Sequence, residues 1–340
     1  MRAVIVREWC EFGELELESS APPPPLAADK VRISICAAGV SFATTLVVSG
    51  RYQRKPPLPF TPGTEVSGII NEVGSEVSRF QPGDRVVAAL DWGGMAEEVV
   101  TPPATVYKVP TSIPHEQAIG LTNSYGTSYA ALRWQHLLNV QAGNTLLVHG
   151  AAGGVGLAAV EIGKILGATV IATVGSEEKR DIVLARGADY AVNYREDSFR
   201  DAVLDLTQGR GADAIYDPVG GDVFKQSLRC IAPEGRLCPI GFAGGDIPQA
   251  PANILLVKNA TVCGLNMGYY YGWSPDDVRS RYVDRLTAMI DELCDWYSQG
   301  QISLTTSHSF DLADFQAAMR VVLERRSIGR VALTMNTPEA

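Results

Sequence analysis

Between Thr145 and Leu166 an apolar run, Leu146–Leu147–Val148, meets Gly150–Ala151–Ala152–Gly153–Gly154–Val155–Gly156 and passes directly into a helical pattern. No other feature constrains the chain as tightly. Glycines at this spacing let the backbone turn sharply and let the helix pack closely on the strand. They also leave the first helical N–H groups facing outward, where they suit an anion. A bare glycine pattern is weak evidence, but strand–turn–helix is the context in which such a turn cradles a pyrophosphate. We therefore expect a dinucleotide here, its pyrophosphate against this turn.

The surrounding sequence extends this unit. Strand-like runs at Thr145–His149, Thr169–Thr173, Asp189–Val192, Asp213–Asp217, Arg236–Ile240 and Thr261–Gly264 alternate with helical patterns near 155–166, 177–186, 197–207 and 222–230. Ser176 is the expected cap of the second helix and Gly187 its stop. This alternation predicts a doubly wound α/β domain with a parallel six-stranded sheet over residues 125–266. The first third differs: short apolar runs at Ala3–Val6, Leu15–Leu17, Val31–Cys36, Val66–Val73 and Arg85–Leu90 are separated by Pro/Gly turns, which predicts a β-rich barrel or sandwich. In the C-terminal part, Ser274–Pro275–Asp276–Asp277 reads as a helix start, followed by apolar positions at helical spacing to Gly300. A second helix over 311–324 and a strand over 330–334 follow. This tail is expected to return to the first domain, giving residues 1–124 and 267–340 as one discontinuous domain.

Composition narrows the function classes. The chain of 340 residues carries 29 Lys+Arg against 38 Asp+Glu, a formal charge of −9, and has no long basic block. That disfavours nucleic acid as a partner. The six cysteines form no CxxC pair, so neither a disulfide framework nor a thiolate zinc site is expected. No apolar stretch of membrane-spanning length and no signal-peptide pattern is visible, so a cytoplasmic setting and no membrane partner are expected.

Which dinucleotide binds depends on the tip of the second strand, Thr173–Val174–Gly175–Ser176. An NAD site usually has an acid there for the ribose 2′-OH. Here Gly175, Ser176 and Lys179 suit a 2′-phosphate, so NADPH (NADP+) is the expected cofactor. Glu177 and Glu178 argue the other way, since either can reach a ribose.

The motifs Ala37–Ala38–Gly39–Val40, Gly50–Arg51–Tyr52–Gln53, Pro59–Phe60–Thr61–Pro62–Gly63–Thr64–Glu65, Gln81–Pro82–Gly83–Asp84–Arg85–Val86, His149 to Gly156, Asn193–Tyr194–Arg195, Asp217–Pro218–Val219–Gly220–Gly221 and Ile240–Gly241–Phe242–Ala243–Gly244 span nearly the whole chain. Together they resemble the medium-chain dehydrogenase/reductase superfamily, and within it the zinc-independent quinone oxidoreductase branch. The resemblance implies a GroES-like catalytic domain, a Rossmann domain and a substrate cleft. It carries over Gly153, Gly154, Val155 and Gly156 to the pyrophosphate, and Gly175, Ser176, Lys179, Tyr194 and Arg326 to the 2′-phosphate. It also carries Thr127, Ile240 and Phe242 to the nicotinamide side, and Gly220 and Ser41 to the neighbouring ribose. Arg325 adjoins Arg326 and competes for that assignment. Tyr52 occupies the position of a cleft tyrosine, either donating a proton to the reduced acceptor or only walling the pocket.

Where the superfamily's zinc enzymes carry Cys and His, this chain has Ser41 and Thr64, poor ligands for zinc. Without a Lewis acid the alkoxide of an alcohol substrate goes unstabilised, whereas a quinone or enone delocalises the incoming charge itself. The expected activity is hydride transfer from NADPH to a quinone or other conjugated carbonyl, with no metal. Alternatives are an enoyl-thioester or alkenal reductase, and a crystallin-like nucleotide binder with little turnover. The chain departs from its branch at Ser41 and Thr44, where Asn and Asp are usual. The resemblance also implies a homodimer: the superfamily's sixth Rossmann strand often pairs across a two-fold axis, and Ala260–Leu265 is apolar enough for that.

Overall fold

The computed structural model describes residues 1–274 and 276–335. Two compact units emerge: Met1–Asn123 with Gly268–Gln299 and Ser303 onward, and Ser124–Met267 with Gly300–Ile302.

The first unit begins with β1 (Ala3–Val4) and β2 (Leu17–Glu18), an antiparallel pair. Its main sheet is built on β3 (Val31–Val40), with β4 (Glu65–Val73), β5 (Arg85–Ala89), β6 (Glu98–Thr101) and β7 (Val106–Lys108). Val31, Ile33 and Ile35 are fully buried while Arg32, Ser34 and Cys36 are half-buried, the alternation of a strand with one face on the core. From Ala37 to Val40 every residue is buried. Helix α1 (Phe42–Val48) follows β3, and α2 (His115–Ala118) lies beyond β7.

The second unit opens with α3 (Gly126–Arg133) and continues through β8 (Thr145–Val148), α4 (Gly154–Ile165), β9 (Thr169–Val174), α5 (Glu177–Ala185), β10 (Tyr190–Asn193), α6 (Phe199–Leu206), β11 (Ala212–Asp217), α7 (Gly221–Ser227), β12 (Ile231–Pro239), α8 (Ala252–Lys258) and β13 (Thr261–Val262). All pairings are parallel, in the order β10-β9-β8-β11-β12-β13. The order reverses between β8 and β11, the place where open α/β sheets bind ligands beyond their carboxyl ends. Ser176 caps α5, its hydroxyl accepting from the Lys179 N–H at 3.3 Å, and Gly187 beyond the helix adopts φ +100°.

The chain then forms α9 (Met267–Tyr270), α10 (Val283–Ser298), β14 (Thr306–Asp311), α11 (Phe315–Leu323) and β15 (Arg330–Thr334). β15 pairs antiparallel with Ala37–Val40 of β3 and parallel with β14, so the last strands complete the first unit's sheet.

Three sequence expectations change. The helix start expected at Ser274 is not used. A 3-10 turn occupies Arg279–Tyr282 and α10 begins at Val283; Pro275 lies outside the described residues. The Asp277 carboxylate takes the Arg279 N–H and Nε–H instead of capping a longer helix. β12 begins five residues before Arg236, and the last parallel strand covers only Thr261–Val262.

β15, β3 and β4 are fastened by charge as well as by backbone pairing. Arg330 opens β15, Glu65 opens β4, and the two form an ion pair over Gly39 of β3, where a Cβ would collide with both. Glu65 is 1% exposed, and burial pulls Arg330 down to about 10. Removing one partner strands the other charge in the interior. We expect Glu65→Gln or Arg330→Met to cost about 3–5 kcal/mol in urea denaturation, and the double variant Glu65→Leu/Arg330→Met to cost less than either.

Candidate functional site

The nucleotide-binding features lie at the carboxyl end of the second unit's sheet. β8 ends at Val148, and Gly150 turns the chain with φ +56°. Gly153 is extended and caps α4. At Gly156 a Cβ would overlap the Gly150 carbonyl and lie 2.8 Å from the Ala151 Cα, so only glycine lets the helix sit this close to the turn. The N–H groups of the first helical turn have no intrahelical acceptor. Gly153, Gly154 and Val155 are only half-buried. A pyrophosphate fits this cradle by charge, hydrogen bonding and space. The Val155 carbonyl is held by the Ser128 hydroxyl at 2.7 Å, and that hydroxyl also meets Tyr216 Oη at 2.8 Å. Thr127, next to Ser128 on α3, is buried.

The tip of β9 gathers four of the five residues expected near a 2′-phosphate, all but Arg326. Tyr194 donates its N–H to the Val174 carbonyl at 3.0 Å, and its hydroxyl lies over Gly175, where a Cβ would approach it to 2.5 Å. Ser176 and Lys179 open α5 beside it. Glu177 is occupied elsewhere: Arg180 donates to it at 2.9 Å and Asn193 at 3.2 Å, and Arg180 holds its pKa below the usual range.

At the end of β11, Asp217 Oδ1 accepts from the N–H groups of Val219 at 2.8 Å and Gly220 at 3.0 Å. Its carbonyl accepts from Ile240 N–H at 2.7 Å. Gly220 has φ +76°, and the Phe242 ring lies 2.8 Å from where its Cβ would stand. Gly220, Ile240 and Phe242 are thus tied into one loop pair. Asp217 is the residue that the sequence reading left without a role. Its carboxyl is fully buried and pushed up by burial. The available signal was an acid closing an apolar strand just before Pro-Val-Gly-Gly.

Ser41, Tyr52 and Arg326 belong to the first unit. Ser41 precedes α1, its hydroxyl 3.3 Å from that of Thr44. Tyr52 lies just past α1, its N–H bonded to the Leu46 carbonyl at 3.0 Å. The Tyr52 ring meets Trp273 edge-on at 6.4 Å, and burial raises its pKa, so the phenol keeps its proton at neutral pH. Arg326 is exposed, with Glu324 accepting from its Nε at 2.6 Å. Thr64 supplies a carbonyl to Leu90 N–H at 2.8 Å. Among the described residues no group of three or more His, Cys, Asp or Glu is placed to hold a metal ion. The hydroxyls of Ser41 and Thr64 do not fit a zinc ion. No helix among the described residues is long and apolar enough to cross a membrane.

Known proteins share both halves of this arrangement. Residues 27–111 match the alcohol dehydrogenase GroES-like domain, and residues 154–287 match the zinc-binding dehydrogenase family. A quinone oxidoreductase-like protein 2 homolog of Nematostella vectensis is 41% identical over 95% of this chain and 87% of its own length. A mycobacterial structure complexed with NADPH superimposes with TM-score 0.88 at 31% identity, covering 98% of this chain and 100% of that one. The Escherichia coli quinone oxidoreductase complexed with NADPH gives TM-score 0.88 at 27% identity, with the same coverage.

His149, at the start of the glycine turn, is structural. Its ring lies between the hydroxyls of Thr173 at 3.0 Å and Ser227 at 2.8 Å and meets Phe199 edge-on at 4.7 Å. Burial lowers its pKa to about 3. The folded state holds this imidazole neutral, whereas the unfolded chain protonates it near pH 6.5. Its contribution is therefore complete above that value and is lost as pH falls toward 3. We expect the wild type to lose about 2 kcal/mol more stability between pH 7 and pH 5 than His149→Gln, measured by denaturant titration at each pH.

Proposed function

The chain belongs to the medium-chain dehydrogenase/reductase superfamily, in its quinone oxidoreductase branch, and from that membership we propose an NADPH-dependent, metal-independent reductase of quinones or other conjugated carbonyls. The observation that carries the acceptor class is the donor set at Ser41 and Thr64. Two neutral hydroxyls stand where zinc chemistry needs a thiolate and an imidazole. A substrate that spreads its own developing charge requires no metal there.

The cofactor assignment is supported at the tip of β9. Glu177 is engaged by Arg180 and Asn193, while the Tyr194 hydroxyl lies over Gly175 and Ser176 and Lys179 follow at the start of α5. A phosphate suits this group better than a ribose hydroxyl, which wants a free carboxylate. Bound NADPH supplies a hydride. Gly153, Gly154, Val155 and Gly156 hold the pyrophosphate, and Asp217 fixes Gly220 and the loop of Ile240 and Phe242 on the nicotinamide side. Ser41, Thr127 and Arg326 complete the proposed contacts. Tyr52, kept protonated by burial, gives its phenolic hydrogen to the enolate or quinolate oxygen.

We further propose a homodimer formed through the edge of the parallel sheet. β13 is the edge strand, and Ile247, Leu256 and Val257 are 76%, 79% and 80% exposed. A dimer is expected by sedimentation at micromolar concentration; a monomer there refutes it.

NADPH oxidation assayed against a quinone panel and an enone/enoyl-thioester panel tests the reading. Turnover is expected with the conjugated acceptors, and activity on neither panel refutes it. Tyr52→Phe is expected to lower kcat by about tenfold or more, and unchanged kinetics remove the donor role. Lys179→Gln is expected to lower kcat/KM for NADPH by about tenfold, with little change for NADH. Equal efficiency of the wild type with the two cofactors overturns the assignment.

A further inference from the structure

Tyr52 sits on a poorly fastened stretch. Its N–H bonds back to α1, but among the described residues Gln53–Pro59 make no backbone hydrogen bond before Phe60 pairs with Val6. One side chain of this stretch is firmly held. Arg54 Nη1 lies 2.5 Å from Asp91 Oδ1, and its guanidinium covers the Trp92 ring at 5.3 Å.

Asp91 grips a second arm as well. Arg279 Nη2 donates to both Asp91 oxygens, at 3.1 and 3.0 Å. Arg279 is 6% exposed, and among the described residues its Nη1 has no partner. A guanidinium this buried requires carboxylates to hold it: Asp277 takes its Nε–H at 2.8 Å, and Asp91 ties it to Arg54. The guanidinium lies against Gly272, where a Cβ would overlap it and φ is +92°. Gly272 leads directly to Trp273, the ring that meets Tyr52 edge-on. The contacts close a circuit: Tyr52 to Trp273, Gly272 to Arg279, Asp91, Arg54, and back along the chain to Tyr52. Asp91 itself sits on a stretch fastened by backbone hydrogen bonds on either side. It follows β5, Leu90 is bonded to Thr64, and Gly93 N–H is bonded to the Thr61 carbonyl at 2.7 Å.

We propose that Asp91 is a positioning residue for the reaction. Its carboxylate bridges Arg54 and Arg279 and thereby holds the Tyr52 phenol against Trp273. The kinetic consequence rests on the reading of Tyr52 as hydrogen donor; the positioning itself does not. Asp91 touches no reacting atom. It acts by fixing the two chain segments that carry the aromatic pair, and each arm fails separately when its arginine is removed.

Hydroxyl-radical footprinting of the full chain, read by mass spectrometry, tests the positioning, with buried Trp134 as internal reference. Arg54→Gln cuts only the Tyr52 arm and leaves the buried Asp91–Arg279 pair intact. It is expected to raise Tyr52 modification by about threefold while Trp273 stays near wild type. Asp91→Asn is expected to raise both; should it fail to fold, Arg54→Gln decides alone. Unchanged protection of Tyr52 in Arg54→Gln overturns the proposal. In kinetics, Arg54→Gln is expected to lower kcat by about fivefold with KM for NADPH unchanged, and to add less than about twofold when combined with Tyr52→Phe. A fully multiplicative loss in the double variant overturns action through Tyr52. If Tyr52→Phe leaves kcat unchanged, the donor reading falls while the footprint still decides the clamp.

Discussion

The nucleotide-binding unit depends on how closely one helix approaches one strand. Gly156 lies on the turn backbone at Gly150 and Ala151, and Gly163, two turns later on the same face, lies against Leu146 of β8 and Val170 of β9. Two missing side chains thus let α4 lie flat on the sheet. Its N-terminus then falls at the carboxyl end of β8, beside the point where strand order reverses. The polar groups nearby support this placement. Ser128 holds the Val155 carbonyl, and His149 is held between Thr173 and Ser227. A larger residue at either glycine would tilt or lift the helix and move the anion-facing N–H groups with it.

Three carboxylates show how the fold assigns its charges. Glu177 is exposed but engaged by Arg180 and Asn193, which leaves the β9 tip to hydroxyls and a cation. Asp217 is buried and spends one oxygen on two backbone N–H groups, shaping the turn at Gly220. Asp91 joins two arginines from segments far apart in the chain. None of the three needs to touch a reacting atom. Each acts by what it holds in place: side chains of Arg180 and Asn193 at Glu177, backbone amides at Asp217, two guanidinium groups at Asp91.

The first unit is organised around β3, which pairs with β4, β6 and β15. Its buried second half explains why Ala37–Ala38–Gly39–Val40 is small throughout: the Glu65–Arg330 pair occupies the space over Gly39. The same strand leads into Ser41 and α1, and α1 leads to Tyr52. Ser41 and Tyr52 therefore inherit their positions from a strand whose partners include the last residues described.

Much of this was legible in the sequence. The strand–glycine–helix pattern, the six-strand alternation and the caps at Ser176 and Gly187 are local, because period and turn chemistry act over a few residues. They determined the fold class and the strand–glycine–helix turn at residues 148–156. Other features depended on groups brought together from distant positions. The charge run at 274–277 looks like a helix start, yet Asp277 and Arg279 are drawn into the network at Asp91, and α10 begins later. Whether Glu177 faces a ribose or Arg180 is invisible in spacing, and so is the bridge from Arg54 to Arg279. The sequence by itself determined the elements and the chemistry available to them. Only the tertiary structure decided which charge meets which, because an ion pair depends on distance through space and the sequence records only distance along the chain.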